Sequence, residues 1–286
     1  MKPPLFAYRD PGSVDEAATL LAEFGSEASV LAGGQSLIPL LNLRLARPEA
    51  LIDINRLSEL ERIEVSDEAV RLGALTRVRS VERSNEVAEA LPVLAEAVRH
   101  IAHPQIRTRT TMGGNVAHAD PSSELPGVLA ACEGRVELLS TRGTRWVPWS
   151  EFFISVFTTS REPDELLTRI EFPRNPQWTF RFRELARRSG DYPLAGVCLG
   201  LRMDGEVIQE ARVSVIAVAD RPLRIPELEQ VLVGGRLSDA SLRKDVHATA
   251  QNSVPAIDDT HASSSYRRNL VGTLLSDTLS NWSVAA

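Results

Sequence analysis

Two cysteines, Cys132 and Cys198, are all that the 286 residues contain. A disulfide framework is therefore excluded, and so is an iron–sulfur cluster held by this chain's own thiolates. Histidines number five, and no third ligand stands at a suitable spacing from His118 and Asp120, so no metal site is expected. No run reaches the ~18 apolar residues of a helical membrane span. Met1 to Asp10 lack a charged start followed by an apolar stretch, so no secretory signal is expected. Positive charge is in deficit: a net charge of −6 argues against a nucleic-acid or anionic-membrane partner. Low-complexity tracts and internal repeats are absent too. What remains is expected to be a soluble, cytoplasmic, globular protein, and any redox chemistry in it needs a cofactor not held by cysteine.

The length suggests two or three units, at about 100–150 residues per domain. Ser13 and Glu16 have capping-box spacing, Val14, Ala17, Leu21 and Phe24 follow at helical spacing, and Gly25 ends the pattern. A short apolar strand, 29–32, stops at Gly33-Gly34, a short helix follows through Leu37, Leu40 and Leu41, and 50–53 reads as a second strand. Strand and helix thus alternate over 1–55, as α/β layers do. A second unit, 56–174, holds a hairpin at 62–65 and 70–72 and a helical stripe of Leu94, Ala97, Val98 and Ile101. It then holds a second hairpin turning at Thr141-Arg142-Gly143, and a strand at 166–172. The third unit, 175–286, places strands at 179–185, 197–202, 207–210 and 212–218, with Asp204-Gly205 as a hairpin turn, before helices around 228–232, 242–250 and 266–275. The fold class is α+β: two α/β pieces, then an antiparallel sheet with helices.

Two glycine pairs carry the chemistry. Leu31-Ala32-Gly33-Gly34-Gln35-Ser36-Leu37 ends a strand and begins a helix, which lets successive backbone N–H groups converge on a phosphate, with Gln35 and Ser36 as side-chain donors. A tight turn needing positive φ explains a Gly pair equally well. Thr110-Thr111-Met112-Gly113-Gly114-Asn115 repeats the ingredients, and two such loops suit a diphosphate gripped from both sides. Neither fits the Rossmann or P-loop pattern.

Taken together, Ala32-Gly33-Gly34-Gln35-Ser36-Leu37, Leu51-Ile52-Asp53-Ile54, Gln105-Ile106-Arg107, Thr111-Met112-Gly113-Gly114-Asn115, Ala119 to Pro126, Ser189-Gly190-Asp191-Tyr192 and Tyr266 to Leu270 resemble the FAD-binding medium subunit of the molybdenum hydroxylases. That is the family of carbon monoxide dehydrogenase, xanthine dehydrogenase and N-heterocycle dehydrogenases. The resemblance runs in order along nearly the whole chain. It implies a two-part FAD-binding domain of the PCMH type, then a C-terminal domain of the carbon monoxide dehydrogenase flavoprotein kind. It also implies non-covalent FAD on Leu31 to Leu37 and on Thr111, Gly113, Gly114 and Asn115. Glu124 matches an acidic site residue that is Asp in some relatives, with Asp120 beside it. Leu167 matches an apolar contact on the adenine side, and Asp191 and Tyr192 the place where the C-terminal domain nears the flavin ring. No residue is named as catalytic.

The family further implies a large molybdopterin-binding subunit and a small subunit with [2Fe-2S] clusters as partners, in a dimer of heterotrimers. Electrons would pass from those clusters through FAD to an external acceptor. One departure is visible: Thr108 and Thr110 stand where relatives often have Asn and Gly, so that turn is expected to differ. A stand-alone FAD-dependent oxidase or reductase is the rival reading, and a non-enzymatic nucleotide-binding module the third. Cys132 and Cys198 read as core thiols, Trp146, Trp149 and Trp178 as packing anchors, and Arg181, Arg183, Arg187 and Arg188 as either a solvated strand face or an anion contact.

Overall fold

The computed structural model describes residues 2–282. Three larger sheets organise it. The first is parallel, in the order β1 (Ala7–Arg9), β3 (Ala50–Asp53), β2 (Ala28–Leu31). The strand at Ala7–Arg9 was not expected from sequence, since it is three residues long and its pattern is largely exposed. Helix Val14–Phe24 packs Ala17 and Leu21 against Ile52 and Ile54 of this layer. Ser13 Oγ accepts the Glu16 N–H at 3.1 Å, as the capping box requires. The Glu16 carboxylate, however, accepts from Gly12 N at 2.7 Å rather than from the cap residue. Gly25, at φ 51°, closes the helix.

The second sheet is antiparallel, in the order β4 (Ile63–Val65), β5 (Ala69–Gly73), β10 (Leu166–Pro173), β6 (Arg135–Ser140), β7 (Gly143–Pro148). Both hairpins read from sequence are present, and the late strand β10 lies between them. A small hairpin, β8 (Phe153–Ser155) and β9 (Thr158–Thr159), follows β7. The helical stripe near residue 94 becomes helix Pro92–Ala97, with Val98 and Ile101 buried beyond its end.

The third sheet is antiparallel, in the order β11 (Trp178–Ala186), β12 (Pro193–Asp204), β13 (Val207–Ile216), β14 (Leu223–Arg224). The two strands expected at 207–210 and 212–218 are one continuous strand: Ala211 and Arg212 pair with Leu201 and Gly200, and the polar Gln209-Glu210 step is a β-bulge, where the register skips Gln209 between Ile208 and Glu210. Gly205 takes φ 57° in the β12–β13 turn, as Asp204-Gly205 suggested. Along β12, Ala195, Val197, Leu199 and Leu201 face helices Pro226–Leu232, Ala240–Ser253 and Ser264–Ser280. Cys198 joins the other core. On that side helix Glu124–Ala131 meets β13 backbone-close: Ser214 Oγ donates to the Gly127 carbonyl at 2.6 Å, and a Cβ on Gly127 would stand 2.6 Å from Ile216 Cγ2. This sheet is therefore buried on both faces, which explains why β12 reads as a nearly unbroken apolar run. The α+β reading of the fold holds. No helix among the described residues is long and apolar enough to cross a membrane.

Candidate functional site

One cleft of ≈ 550 Å³ lies where these layers meet, within the roughly 300–1,000 Å³ usual for cofactor and small-molecule sites. Ala32, Gly33, Gly34, Gln35, Ser36 and Leu37 line it from the end of β2 and the start of helix Leu37–Asn42. Thr111, Gly113, Gly114 and Asn115 line it from helix Met112–His118 and its cap. Asp120 and Glu124 follow from the next turn and helix, Leu167 from β10, and Asp191 and Tyr192 from the β11–β12 connection. Leu31 alone of the expected residues does not line it. The Leu31 carbonyl accepts from Ile54 N at 3.1 Å, and its Cδ1 lies 3.3 Å from where a Cβ on Gly34 would stand.

The glycines serve different purposes. Gly34 has φ 73°, the turn conformation that a Cβ disfavours. Gly33 is needed for contact between the loops: a Cβ there would meet the Arg109 carbonyl oxygen at 2.5 Å and Thr111 N at 3.1 Å. Gly113 packs equally close on Ala74, whose Cα and Cβ would lie 2.6 Å from its Cβ. The two glycine loops therefore touch backbone to backbone.

Their amides differ in availability. In the second loop Met112 N donates to Thr76 O, Gly113 N to Ala74 O, Gly114 N to Thr111 Oγ1 and Asn115 N to Thr111 O. In the first loop no protein acceptor meets the N–H of Gly33, Gly34, Gln35, Ser36 or Leu37 among the described residues. The symmetrical grip imagined from sequence is thus one-sided. The first loop offers a row of backbone donors, and the second offers side chains. Asn115 is prominent there: its Nδ2 lies 3.4 Å from Ser123 Oγ, and its Oδ1 is buried without a partner. Such an orphan acceptor costs about 1–3 kcal/mol unless a ligand satisfies it. Gln35 is partly used within its own loop, donating from Nε2 to Gly33 O at 3.1 Å.

Sequence reasoning missed the brace behind the loops. Asn55 Nδ2 donates to Ala32 O at 2.8 Å, and Arg77 Nη2 donates to Asn55 Oδ1 at 2.8 Å. Arg77 Nη1 then reaches Arg109 O at 2.6 Å. One hydrogen-bonded chain thus ties the first loop to the second. Asp53 orients it, accepting from Asn55 N at 3.0 Å and from Tyr8 Oη at 2.7 Å. The available signal was position: Asn55 stands just past the carboxyl end of a parallel strand, where open α/β sheets form their sites. Asn55→Ala is expected to lower stability by about 1–2 kcal/mol, read as a lower urea midpoint, and to expose the 32–36 and 109–111 backbones to proteolysis. An unchanged midpoint and digestion pattern would refute the brace.

Arg161 and Glu165 also line the cleft and were not expected. Arg161 Nη1 donates to the carbonyls of Glu165 at 2.6 Å and Glu162 at 3.0 Å, whereas the Glu165 carboxylate takes Arg145 in a bidentate pair at 2.6 and 2.8 Å. Burial lowers the Arg161 pKa from its ordinary value without bringing it a carboxylate hydrogen bond of its own among the described residues. The cleft wall thus carries a positive charge at Arg161 and a neutral donor row from Gly33 to Leu37. Burial raises Glu124 to about 8, with the charges of Glu184 and Asp120 adding to the effect. Burial lowers His118, which stacks on Phe157 with centroids 4.8 Å apart. Tyr192 is 70% exposed at the rim. The basic run does not line the cleft: Arg183 pairs with Glu96, and Arg181 lies over Trp282 with 5.7 Å to its centroid. Cys132 and Cys198 are buried thiols, with burial pushing Cys132 up to about 12. Thr110, which the sequence suggested would avoid positive φ, does so, and its hydroxyl donates to Ile106 O at 3.0 Å.

An elongated ligand with anionic and hydroxyl-bearing parts suits this arrangement. The comparisons with known proteins agree. Residues 4–175 match the family model described as the FAD binding domain in molybdopterin dehydrogenase. Residues 180–281 match that of the CO dehydrogenase flavoprotein C-terminal domain. The chain is 40% identical over 281 residues to the 6-hydroxypseudooxynicotine dehydrogenase complex subunit alpha of Paenarthrobacter nicotinovorans, covering 98% of this chain and 95% of the relative. It is 36% identical to the carbon monoxide dehydrogenase medium chain of Hydrogenophaga pseudoflava, covering 96% of each. Among solved structures, quinoline 2-oxidoreductase from Pseudomonas putida 86 superposes with a TM-score of 0.92 at 34% identity, covering 98% of this chain and 97% of the other.

Proposed function

Because this chain belongs to the family of FAD-binding medium subunits of the molybdenum hydroxylases, we propose that it is the electron-transfer subunit of a heteromeric enzyme. Its partners in this reading are a large molybdopterin-binding subunit and a small iron–sulfur subunit, in a dimer of heterotrimers. FAD bound in the cleft supplies the redox chemistry, taking electrons from the partner clusters and delivering them to an external acceptor. The chain's own contribution is binding and orientation. The open N–H row from Gly33 to Leu37 faces the diphosphate, and Asn115 Oδ1 finds a donor among the ribityl hydroxyls. Leu167 and Arg161 flank the adenine end, and Asp120, Glu124, Asp191 and Tyr192 surround the flavin end.

The observation that carries this reading is the contrast between the two loops: one has its amides satisfied, and the other leaves a row of donors open in a cleft. The separate sheets and the family-model bounds support units at 1–55, 56–174 and 175–286. The two free, buried thiols agree with a cytoplasmic location. Purified after FAD is supplied, the full chain is expected to carry a flavin absorbance spectrum, with the two partner subunits co-purifying from the native cell. A colourless protein that takes up no FAD in equilibrium dialysis would refute the proposal.

A further inference from the structure

Two of the sequence motifs, Gln105-Ile106-Arg107 and Ser189 to Tyr192, have no part in the diphosphate grip, and the fold brings them together at the cleft. Arg107 is 7% exposed at the end of helix Pro104–Arg107. Its Nε and Nη2 donate to the two carboxylate oxygens of Glu82 at 3.0 and 3.2 Å. Its Nη1 donates to the carbonyls of Ala102 at 2.9 Å and Ile101 at 3.0 Å. A planar guanidinium can fork in this way, one edge on a carboxylate and the remaining nitrogen on backbone, whereas an ammonium cannot. Ala102 lies between those two carbonyls and takes φ 44°, a conformation that residues with a Cβ rarely adopt. The fork holds it there.

The held turn is the seat of a loop from the third sheet. Ala102 lines the cleft, and so do Gly190, Asp191 and Tyr192 from the β11–β12 connection. Gly190, at φ 85°, comes so near the turn that a Cβ on it would stand 2.6 Å from Cε1 and Nδ1 of His103 and 3.1 Å from the Ala102 carbonyl oxygen. The carbonyl that Gly190 meets is therefore the one that Arg107 grips. Contacts run unbroken from Glu82 through Arg107 and Ala102 to Gly190, next to Asp191 and Tyr192. Arg107 itself does not line the cleft.

We propose that Arg107 is a positioning residue: by gripping the Ala102 carbonyl it fixes the seat on which Gly190 rests, and so sets where Asp191 and Tyr192 stand at the cleft. That these two meet a flavin ring rests on the FAD site proposed above.

The test compares three variants of the full chain. Arg107→Lys keeps a cation opposite Glu82 and loses the fork. Gly190→Ala lifts the loop from the other side of the same contact. Arg79→Gln removes the other cation on Glu82, bonded at 2.7 Å, and leaves the fork in place. The first readout is tryptic nicking of the ligand-free chain after Arg187 and Arg188, both exposed in the loop. It is expected to be about tenfold faster in Arg107→Lys and Gly190→Ala, the equivalent of one lost charged hydrogen bond, and unchanged in Arg79→Gln. The second is the visible circular dichroism of bound FAD, expected to change alike in Arg107→Lys and Gly190→Ala and to stay as in the wild type in Arg79→Gln. Nicking at the wild-type rate in Arg107→Lys, equal acceleration in Arg79→Gln, or flavin bands unmoved by a loosened loop would each overturn the inference. Should Arg107→Lys fail to fold, Glu82→Gln, which keeps Arg107 and removes the charge that aims it, is read in the same way. If the wild type takes up no FAD, the proposed function fails, and the nicking rates alone decide whether Arg107 seats the loop.

Discussion

Replacing Gly33 by valine is expected to weaken FAD binding by about 100-fold. A Cβ at that position would lie 2.5 Å from the Arg109 carbonyl oxygen and 3.1 Å from Thr110 Cα, both backbone atoms. A flexible side chain can swing aside, but two braced loops cannot, so they must separate. Overpacking of this kind costs about 1–3 kcal/mol, and the upper end corresponds to roughly 100-fold in affinity. The separation also carries Asn115 away from the N–H row that must engage the same ligand. Gly34→Ala is the comparison. Its Cβ would meet only the Ile38 and Leu31 side-chain tips, at 3.1 and 3.3 Å, and the φ of 73° costs about 1 kcal/mol. Its expected loss is about fivefold. Flavin fluorescence titration of both variants, with circular dichroism to check the fold, decides the matter. Equal losses would mean that turn conformation, not contact between the loops, is what Gly33 provides.

Arg267→Ala is expected to lower the melting temperature by on the order of 10 °C. Arg267 is 4% exposed inside helix Ser264–Ser280 and donates to the carbonyls of Leu194 and Ala217 and to the Asp259 carboxylate. Its removal leaves two strand-end carbonyls without their donor and a partner acid without its cation. The Asp259 side chain is 40% exposed, so the ion pair itself contributes only about 0–1 kcal/mol; each carbonyl left without its donor costs about 1–3 kcal/mol, and each kcal/mol moves the melting point of a chain this size by about 2–4 °C. The pH dependence identifies the cause. Asp259 is held at about 2, below its ordinary 3.8: burial opposes the shift, and the N–H groups of Ala262 and His261 together with Arg267 outweigh it. Its stabilisation is complete above the unfolded value and is lost as the pH falls from there toward 2. The stability difference between wild type and Arg267→Ala should therefore narrow over that interval in acid titrations monitored by fluorescence. A constant difference would assign the loss to packing alone.

Much of this was legible in the sequence, for identifiable reasons. Local rules fixed the helix from Ser13 to Gly25, the hairpins around 66 and 142, and the Gly205 turn, because each depends on residues a few positions apart. The family motifs brought distant positions to one cleft with a single exception, Leu31, whose strand geometry turns it to packing. What stayed hidden depends on contact across the fold. Gly33 reads as a turn glycine until Arg109 is seen against it. Asn55 and Arg77 look like ordinary surface polar residues until their hydrogen bonds show that they couple two loops. Arg161 and Glu165 carry no motif; their roles come from the loop that leads into β10.

The strand order has a consequence for how the molecule comes into being. In the first sheet β3 lies between β1 and β2, and in the second β10 lies between the two hairpins. In both, the central strand is the last to leave the ribosome. A nascent chain stopped before Leu166 holds two hairpins, each with an open edge and nothing to join them. Such edges invite pairing with other chains, and closing β5 onto β10 requires a long loop, which slows folding. Flavin loading is therefore a late event of biosynthesis, and truncations that end inside the second sheet are poor candidates for expression.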